Sequence, residues 1–334
     1  MRTRGLIAAL LGAILLPAAA PAADHPSYGP ELEGFDYPHE VRRFELVSQG
    51  QRLAMAYMDV APARPNGRTV VLLHGKNFCA ATYEGVIRAL TAAGYRTIAV
   101  DQIGFCKSSK PEGYQFSFAQ LAANTHALLE SLGVRKAAIL GHSMGGMLAA
   151  RYALSYPEST ERLVMVNPLG LEDWKAEGVP YATIDALHAN ELKTSFDTVK
   201  AYQTKFYYGG EWKPAYDRWV EMNAGMYAGP GRDRIAWIGA RTSEMIYAQP
   251  VVYEFPRIAV PTTLMIGQDD RTAPGANRAA PEVAKRLGDY PALGRRAAAA
   301  IPGAKLVEFP GLGHAPQIED PETFEAALLK ALAQ

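Results

Sequence analysis

The sequence predicts an α/β fold built on a mostly parallel sheet flanked by helices. Three observations carry that prediction. From residue 69 onward the chain runs strand, loop, helix three times in succession, an order that lays each new strand parallel to the last. The strands read as short, continuous apolar runs, as strands buried on both faces do, and they end at turn-forming residues. One of them lies in the stretch Ala137–Tyr152, AAILGHSMGGMLAARY, and passes through Gly141-His142-Ser143-Met144-Gly145 straight into a helical pattern.

Taken in order, residues 1–23 stand apart from the fold. Arg2 and Arg4 precede an apolar stretch from Leu6 to Leu16, then Pro17 and an alanine-rich run to Ala23, the pattern of a cleavable secretory signal. The apolar stretch falls short of the roughly 20 residues that span a bilayer, so a signal is favoured over an anchor. The mature chain is therefore expected to be secreted or periplasmic. Asp24 to Tyr37, rich in Pro, Gly and acidic residues, is expected to be an extended, poorly ordered lead-in. Arg43–Val47 and Leu53–Val60 follow as an antiparallel hairpin around Ser48-Gln49-Gly50-Gln51.

Thr69–Leu73 is the first parallel strand, running into His74-Gly75-Lys76-Asn77-Phe78 and a helix over residues 82–93 that Gly94 stops. Arg96–Asp101 is the next strand and opens into a turn-rich loop to Pro111. Ser117 caps a helix from Phe118 to Leu132, whose apolar positions recur at three- and four-residue spacing. The strand at Ala138–Leu140 and its helix come next, then a strand at Leu163–Val166 ending in Asn167-Pro168.

The regime then changes. Residues 169–256 contain no apolar strand but hold all four tryptophans and many tyrosines at helix-like spacing, which reads as a helical insertion. Most of those aromatics are expected to pack against each other and the core, and a minority to line a ligand pocket. Strands resume at Thr262–Ile266 and Lys305–Phe309, with helices expected at 282–287 and 295–300 and a terminal helix over 321–332. The chain thus divides into a signal at 1–23, a first core part at 24–168, a helical lid at 169–259 after the sixth strand, and a second core part at 260–334.

Bulk properties narrow the function. Lys+Arg and Asp+Glu both number 34, so no charge draws the chain to nucleic acid or an anionic membrane surface, and the expected partner is a small molecule in a pocket. The charge balance says nothing of oligomeric state. Cys79 and Cys106 are the two cysteines, too few for a disulfide scaffold or a cysteine-rich metal site. No H-x-x-x-H pair occurs, and neither a metal nor a cofactor is expected.

Ser143 sits at the strand-to-helix turn. Such a turn admits only glycine at 141 and 145, lifts the hydroxyl out at the carboxyl end of the sheet, and sets it at a helix N-terminus with free N–H groups. A glycine-rich helix start with a solvent-facing serine is the plainer reading, and context must decide. A serine attacks at neutral pH only if a base takes its proton and a carboxylate orients that base. His314 follows the last strand and Asp270 the strand before it, and the loop ends of parallel strands share one face.

Five motifs in this order resemble the α/β-hydrolase superfamily, in particular its lid-bearing serine hydrolases. They are His74-Gly75, Asp101–Ser109, Gly141–Gly145, Gly267–Pro274 and Gly313-His314, and the resemblance covers nearly the whole mature chain. It implies a mostly parallel eight-stranded sheet flanked by helices, with a helical lid after the sixth strand. It also implies Ser143 as nucleophile, His314 as general base and Asp270 as orienting acid. Asp269 is the rival acid, disfavoured by the G-x-x-D-x-x-x-P spacing from Gly267 to Pro274. The acid position that some relatives use after the preceding strand is Asn167 here, which bears no charge.

The resemblance further implies an oxyanion hole of the Lys76 and Met144 amides. Phe78 and Phe105 are expected to wall the site. The Lys76 side chain is expected in solvent, where it would attract an acidic substrate. His74 is expected to organise its loop, His142 to face behind the elbow and His126 to lie on a helix surface.

Cys106 stands where many relatives have glycine, and Cys79 lies in the neighbouring loop. The export signal and the even count favour a disulfide between them, with two buried thiols the alternative. The implied activity is hydrolysis of a small ester-like, apolar or aromatic substrate through an acyl-enzyme. The alternatives are a carbon–carbon bond hydrolase with the same triad and a noncatalytic ligand-binding protein on the same fold.

Overall fold

The computed structural model describes residues 25–333, so the signal expected at 1–23 lies outside the described residues. Strands β1 (Arg42–Ser48), β2 (Gln51–Val60) and β3 (Thr69–Leu73) are followed by helix α1 (Glu84–Ala92) and strand β4 (Arg96–Val100). Helix α2 (Phe118–Ser131), strand β5 (Ala137–His142), helix α3 (Met144–Ser155) and strand β6 (Thr160–Val166) complete the first run. After β6 come α4 (Ile184–Glu191), α5 (Phe196–Phe206), α6 (Asp217–Ala228) and α7 (Arg232–Ala248), with no strand among them. The second run is β7 (Thr262–Gly267), the one-turn α8 (Pro281–Ala284), α9 (Tyr290–Ala300), β8 (Lys305–Phe309), the one-turn α10 (Pro316–Glu319) and α11 (Pro321–Ala333).

The eight strands form one sheet in the order β1-β2-β4-β3-β5-β6-β7-β8. The β1·β2 and β2·β4 pairs are antiparallel and every other pair is parallel. This is the mostly parallel, helix-flanked sheet read from the sequence. Alternation along the strands divides the core in two. Val71, Leu73, Ile98, Ile139, Met165 and Leu264 face α2, α3 and α9. Val70, Leu72, Ala99, Leu140, Val164 and Met265 face α1 and α11 on the other side. Central strands buried on both faces explain why they read as unbroken apolar runs.

Several boundaries differ from the sequence reading. The helix expected from 295 begins at Tyr290, because Pro291 falls in its first turn, where a missing N–H costs nothing. The segment expected over 282–287 is a single turn, α8.

The lead-in is the larger departure. Residues 25–37 are not loose but strapped across the insertion and the core. The Tyr28 amide donates to the Gly225 carbonyl at 2.9 Å, His25 stacks on Phe196, and the Tyr37 hydroxyl donates to Asp101 at 2.6 Å. Leu32 and Phe35 are both buried. Scattered Pro and Gly concealed this, since an irregular strap has no period to read.

Because the strap is part of the core, Phe35→Ala is expected to destabilise the protein by about 3 kcal/mol, as loss of a buried phenyl ring does. Urea denaturation measures this, and a disordered lead-in would give no shift in midpoint.

Candidate functional site

The β5–α3 turn is the rigid centre of the site. Ser143 adopts φ 57° and ψ −121°, a conformation that side-chain-bearing residues rarely hold. Its neighbours make the turn this tight: a Cβ on Gly141 would run into the Gly145 carbonyl, and one on Gly145 into the Leu73 carbonyl of β3. The serine is held from both sides, its amide donating to Val166 O at 3.0 Å and its carbonyl accepting from Gly146 and Leu169. A Cβ on Gly75 would lie 3.0 Å from the Ser143 Cβ, so the loop after β3 lies directly against the elbow.

The imidazole expected to serve this serine is in place beside a carboxylate. His314 Nδ1 donates to Asp270 Oδ2 at 2.6 Å, and both side chains are fully buried. Asp270 Oδ1 accepts from the Thr272 amide at 2.7 Å, and Oδ2 also accepts from Asn167 Nδ2 at 2.8 Å. Asp269 is exposed, and its amide bonds to Leu312 O, away from the imidazole. The other ring nitrogen, His314 Nε2, is buried without a protein partner. It makes no hydrogen bond to the Ser143 hydroxyl, and such a bond commonly tightens only when substrate is bound.

Met144 opens α3, and its amide and that of Lys76 have no acceptor among the described residues.

The other sequence-selected residues are distributed as follows. Phe78 lies between His142 and Tyr207, with ring centroids 5.6 and 5.7 Å away. Phe105 packs on His74. Both, with Lys76, line a cavity of about 30 Å³. Cys79 and Cys106 are joined in a disulfide, Cα–Cα 5.8 Å, which ties the β3 loop to the β4 loop. Asp101 lies beside it, and its carboxylate accepts from the Ala80 and Lys107 amides and from Tyr37. His74 joins the same two loops: the Gln102 amide donates to Nε2, so Nδ1 carries the proton and donates to Gly75 O.

His142 does not face away behind the elbow. Its Nε2 donates to the His314 carbonyl at 2.7 Å. His126 is half-buried, stacked on Tyr156. The Lys76 side chain is not in solvent either, because Glu191 at the end of α4 reaches its Nζ at 2.7 Å.

Three contributors were not read from the sequence. Asn167 was noted only for lacking a charge, yet it is fully buried and bridges the Asp270 carboxylate to the Gly267 amide. Tyr207, at the end of α5, roofs the imidazole: ring centroids are 4.6 Å apart, its carbonyl accepts from the His314 amide, and its hydroxyl accepts from Asn77 Nδ2. Nothing separates Tyr207 or Glu191 from the insertion's many aromatics and acids by sequence alone. With this roof on, Ser143 is only 4% exposed.

The family described as the alpha/beta hydrolase fold matches residues 68–321. A crystal structure of a probable hydrolytic enzyme from Pseudomonas aeruginosa PAO1 is 59% identical, with TM-score 0.92, covering 92% of this chain and 99% of that one. Among curated proteins, one provisionally named carbamate hydrolase RutD, from Stutzerimonas stutzeri, is 28% identical over 81% of this chain and 93% of its own length. The 2-hydroxy-6-oxononadienedioate/2-hydroxy-6-oxononatrienedioate hydrolase of Comamonas testosteroni is 27% identical over 80% of this chain and 88% of its own.

Burial, and next the charge of His314, hold His142 well below its ordinary pKa of 6.5, so it stays neutral in the fold while the unfolded chain protonates it. Its stabilising contribution is complete above pH 6.5 and is lost progressively as pH falls from there towards the depressed folded value. The stability gap between wild type and His142→Asn is therefore expected to narrow on acidification below pH 6.5. Thermal unfolding midpoints of both proteins across pH 5 to 8 check this; a constant gap would contradict it.

Proposed function

The chain belongs to the α/β-hydrolase family, and on that premise we propose that it is a serine hydrolase acting through an acyl-enzyme on a small, neutral, ester-like substrate with an apolar or aromatic group. The observation that carries this reading is the fully buried His314–Asp270 pair, with Nε2 left free, at the same ends of the parallel strands as a serine strained into the elbow. A noncatalytic binder has no use for an oriented base.

In this mechanism Ser143 Oγ attacks the acyl carbonyl as His314 Nε2 takes its proton. Asp270 holds the imidazole with its proton on Nδ1 and offsets the charge the ring acquires. The tetrahedral oxyanion is received by the Lys76 and Met144 amides. Collapse expels the alcohol, protonated by His314, and leaves the acyl-serine. A water deprotonated by Nε2 then attacks the acyl carbon, releasing the acid and restoring Ser143.

The carbon–carbon bond reading draws support from the Comamonas relative, whose named substrate carries carboxylates. Against it stands the Lys76–Glu191 pair: the Lys76 ammonium is already neutralised and so is not free to hold a substrate carboxylate, whose burial unpaired would be costly. This favours a neutral substrate. The α4–α7 insertion acts as the lid in this proposal, and its aromatics contact the leaving or acyl group. The Cys79–Cys106 disulfide supports export to an oxidising compartment, secreted or periplasmic.

Ser143→Ala is expected to abolish labelling by a fluorophosphonate and hydrolysis of p-nitrophenyl esters, and Asp270→Asn to lower kcat by roughly 10³- to 10⁴-fold. Burst kinetics on a panel of p-nitrophenyl esters, beside a dienone acid, read this out. Esterase activity surviving in Ser143→Ala, or turnover confined to the dienone acid, would refute the proposal.

A further inference from the structure

Glu191 is an odd residue to find where it is. It is the last residue of α4, where the helix dipole disfavours negative charge, and its side chain is only 14% exposed. Three donors nevertheless converge on its carboxylate. Lys76 Nζ lies 2.7 Å from Oε1, the Tyr227 hydroxyl of α6 lies 2.6 Å from Oε2, and the Ser243 hydroxyl of α7 lies 3.4 Å from Oε1. A second observation comes from α7: a Cβ on Gly239 would lie 2.7 Å from the Glu191 carboxyl and 3.0 Å from the Tyr227 hydroxyl. Glycine in a helix interior costs about 1 kcal/mol relative to alanine. Here it is the room in which this carboxylate sits.

The three insertion helices that meet at Glu191 thus grip one residue of the core, and that residue is Lys76. Its backbone amide is the one proposed for the oxyanion. We infer that Glu191 is a positioning residue: by holding Lys76 it aligns the β3 loop, so that the oxyanion site is complete only while the α4–α7 insertion is seated. This rests on the acyl-enzyme reading given above. Neighbouring contacts act in the same direction, since Asn223 of α6 donates to the Asn77 carbonyl and Tyr207 accepts from the Asn77 side chain. Burial opposes the charge on Glu191, but the Lys76 ammonium and the hydroxyls keep its carboxyl below the usual range, so the grip is ionic at neutral pH. The consequence is that catalysis and closure are coupled: a substrate that keeps the insertion from seating binds but is turned over slowly.

The test compares Glu191→Gln, Lys76→Gln and the double variant with wild type, reading kcat and KM on p-nitrophenyl acetate, the rate of fluorophosphonate labelling and the thermal midpoint. Each single variant is expected to lose roughly ten- to a hundredfold in kcat and in labelling rate, part of what removal of a whole oxyanion donor costs, with KM within about threefold. The double variant is expected to be no worse than either single one, since the two act as a unit. A labelling rate unchanged from wild type in a folded Glu191→Gln, or additive losses in the double variant, overturns the positioning role alone. Should Glu191→Gln not fold, Lys76→Gln carries the same comparison. A wild type that no fluorophosphonate labels removes the acyl-enzyme reading, and the positioning role with it.

Discussion

The backbone at Ser143 is the constraint on which the rest depends. A residue with a side chain is held at φ 57°, at a cost of order 1–3 kcal/mol. It persists because the surroundings leave no alternative. The Ser143 amide is anchored on β6, its carbonyl is bonded on both sides of the turn, and the glycines let β3, β5 and α3 approach to backbone contact. Relaxing the serine would mean pulling a helix buried along most of its length away from the central strands. Strain here is stored against packing, and it presents a hydroxyl at the sheet's carboxyl end with a helix N-terminus beside it.

Around that fixed point the sheet gathers groups from distant parts of the chain. Parallel β5, β6, β7 and β8 all end on one side, and each contributes one component. β5 brings Ser143, β6 brings Asn167, β7 brings Asp270 and β8 brings His314. Asn167 shows how closely these ends are matched. Its side chain donates to Asp270 and accepts from the Gly267 amide, so one amide group fixes the carboxylate relative to the strand that carries it. A second carboxylate in its place would face Asp270 across hydrogen-bond distance and raise a pKa rather than steady an acid.

This explains what was legible in the sequence. The sheet could be read because doubly buried strands leave continuous apolar runs. The elbow, Asp270 and His314 could be read because each sits a fixed step beyond a strand end, where local spacing has a steric cause. The strap at 25–37 was missed because its contacts are to Gly225 and Phe196, about two hundred residues on, and an irregular segment carries no period. Glu191 and Tyr207 were missed for a related reason. Their roles exist only through partners on the β3 loop and after β8, and within their own helices they are one acid and one aromatic among many. Even the visible Lys76 was misjudged, since its charge looks free until α4 is folded over it.

The same division separates rigid from adjustable parts. Sterics of backbone against backbone fix the elbow, and no small motion relieves them. The roof is held by burial of side chains such as Tyr208, Met226 and Ile238 and by separable contacts, among them one hydrogen bond from the His314 amide to Tyr207, one from Asn77 to the Tyr207 hydroxyl, and the Lys76–Glu191 pair. A neutral hydrogen bond contributes about 1 kcal/mol net and one to a charged group about 1.5–3, so each of these contacts can be lost singly at modest cost. Residues that hold the elbow obey local rules that a sequence displays. Residues that shape the roof answer to partners far away in the chain, and many side-chain combinations pack there equally well.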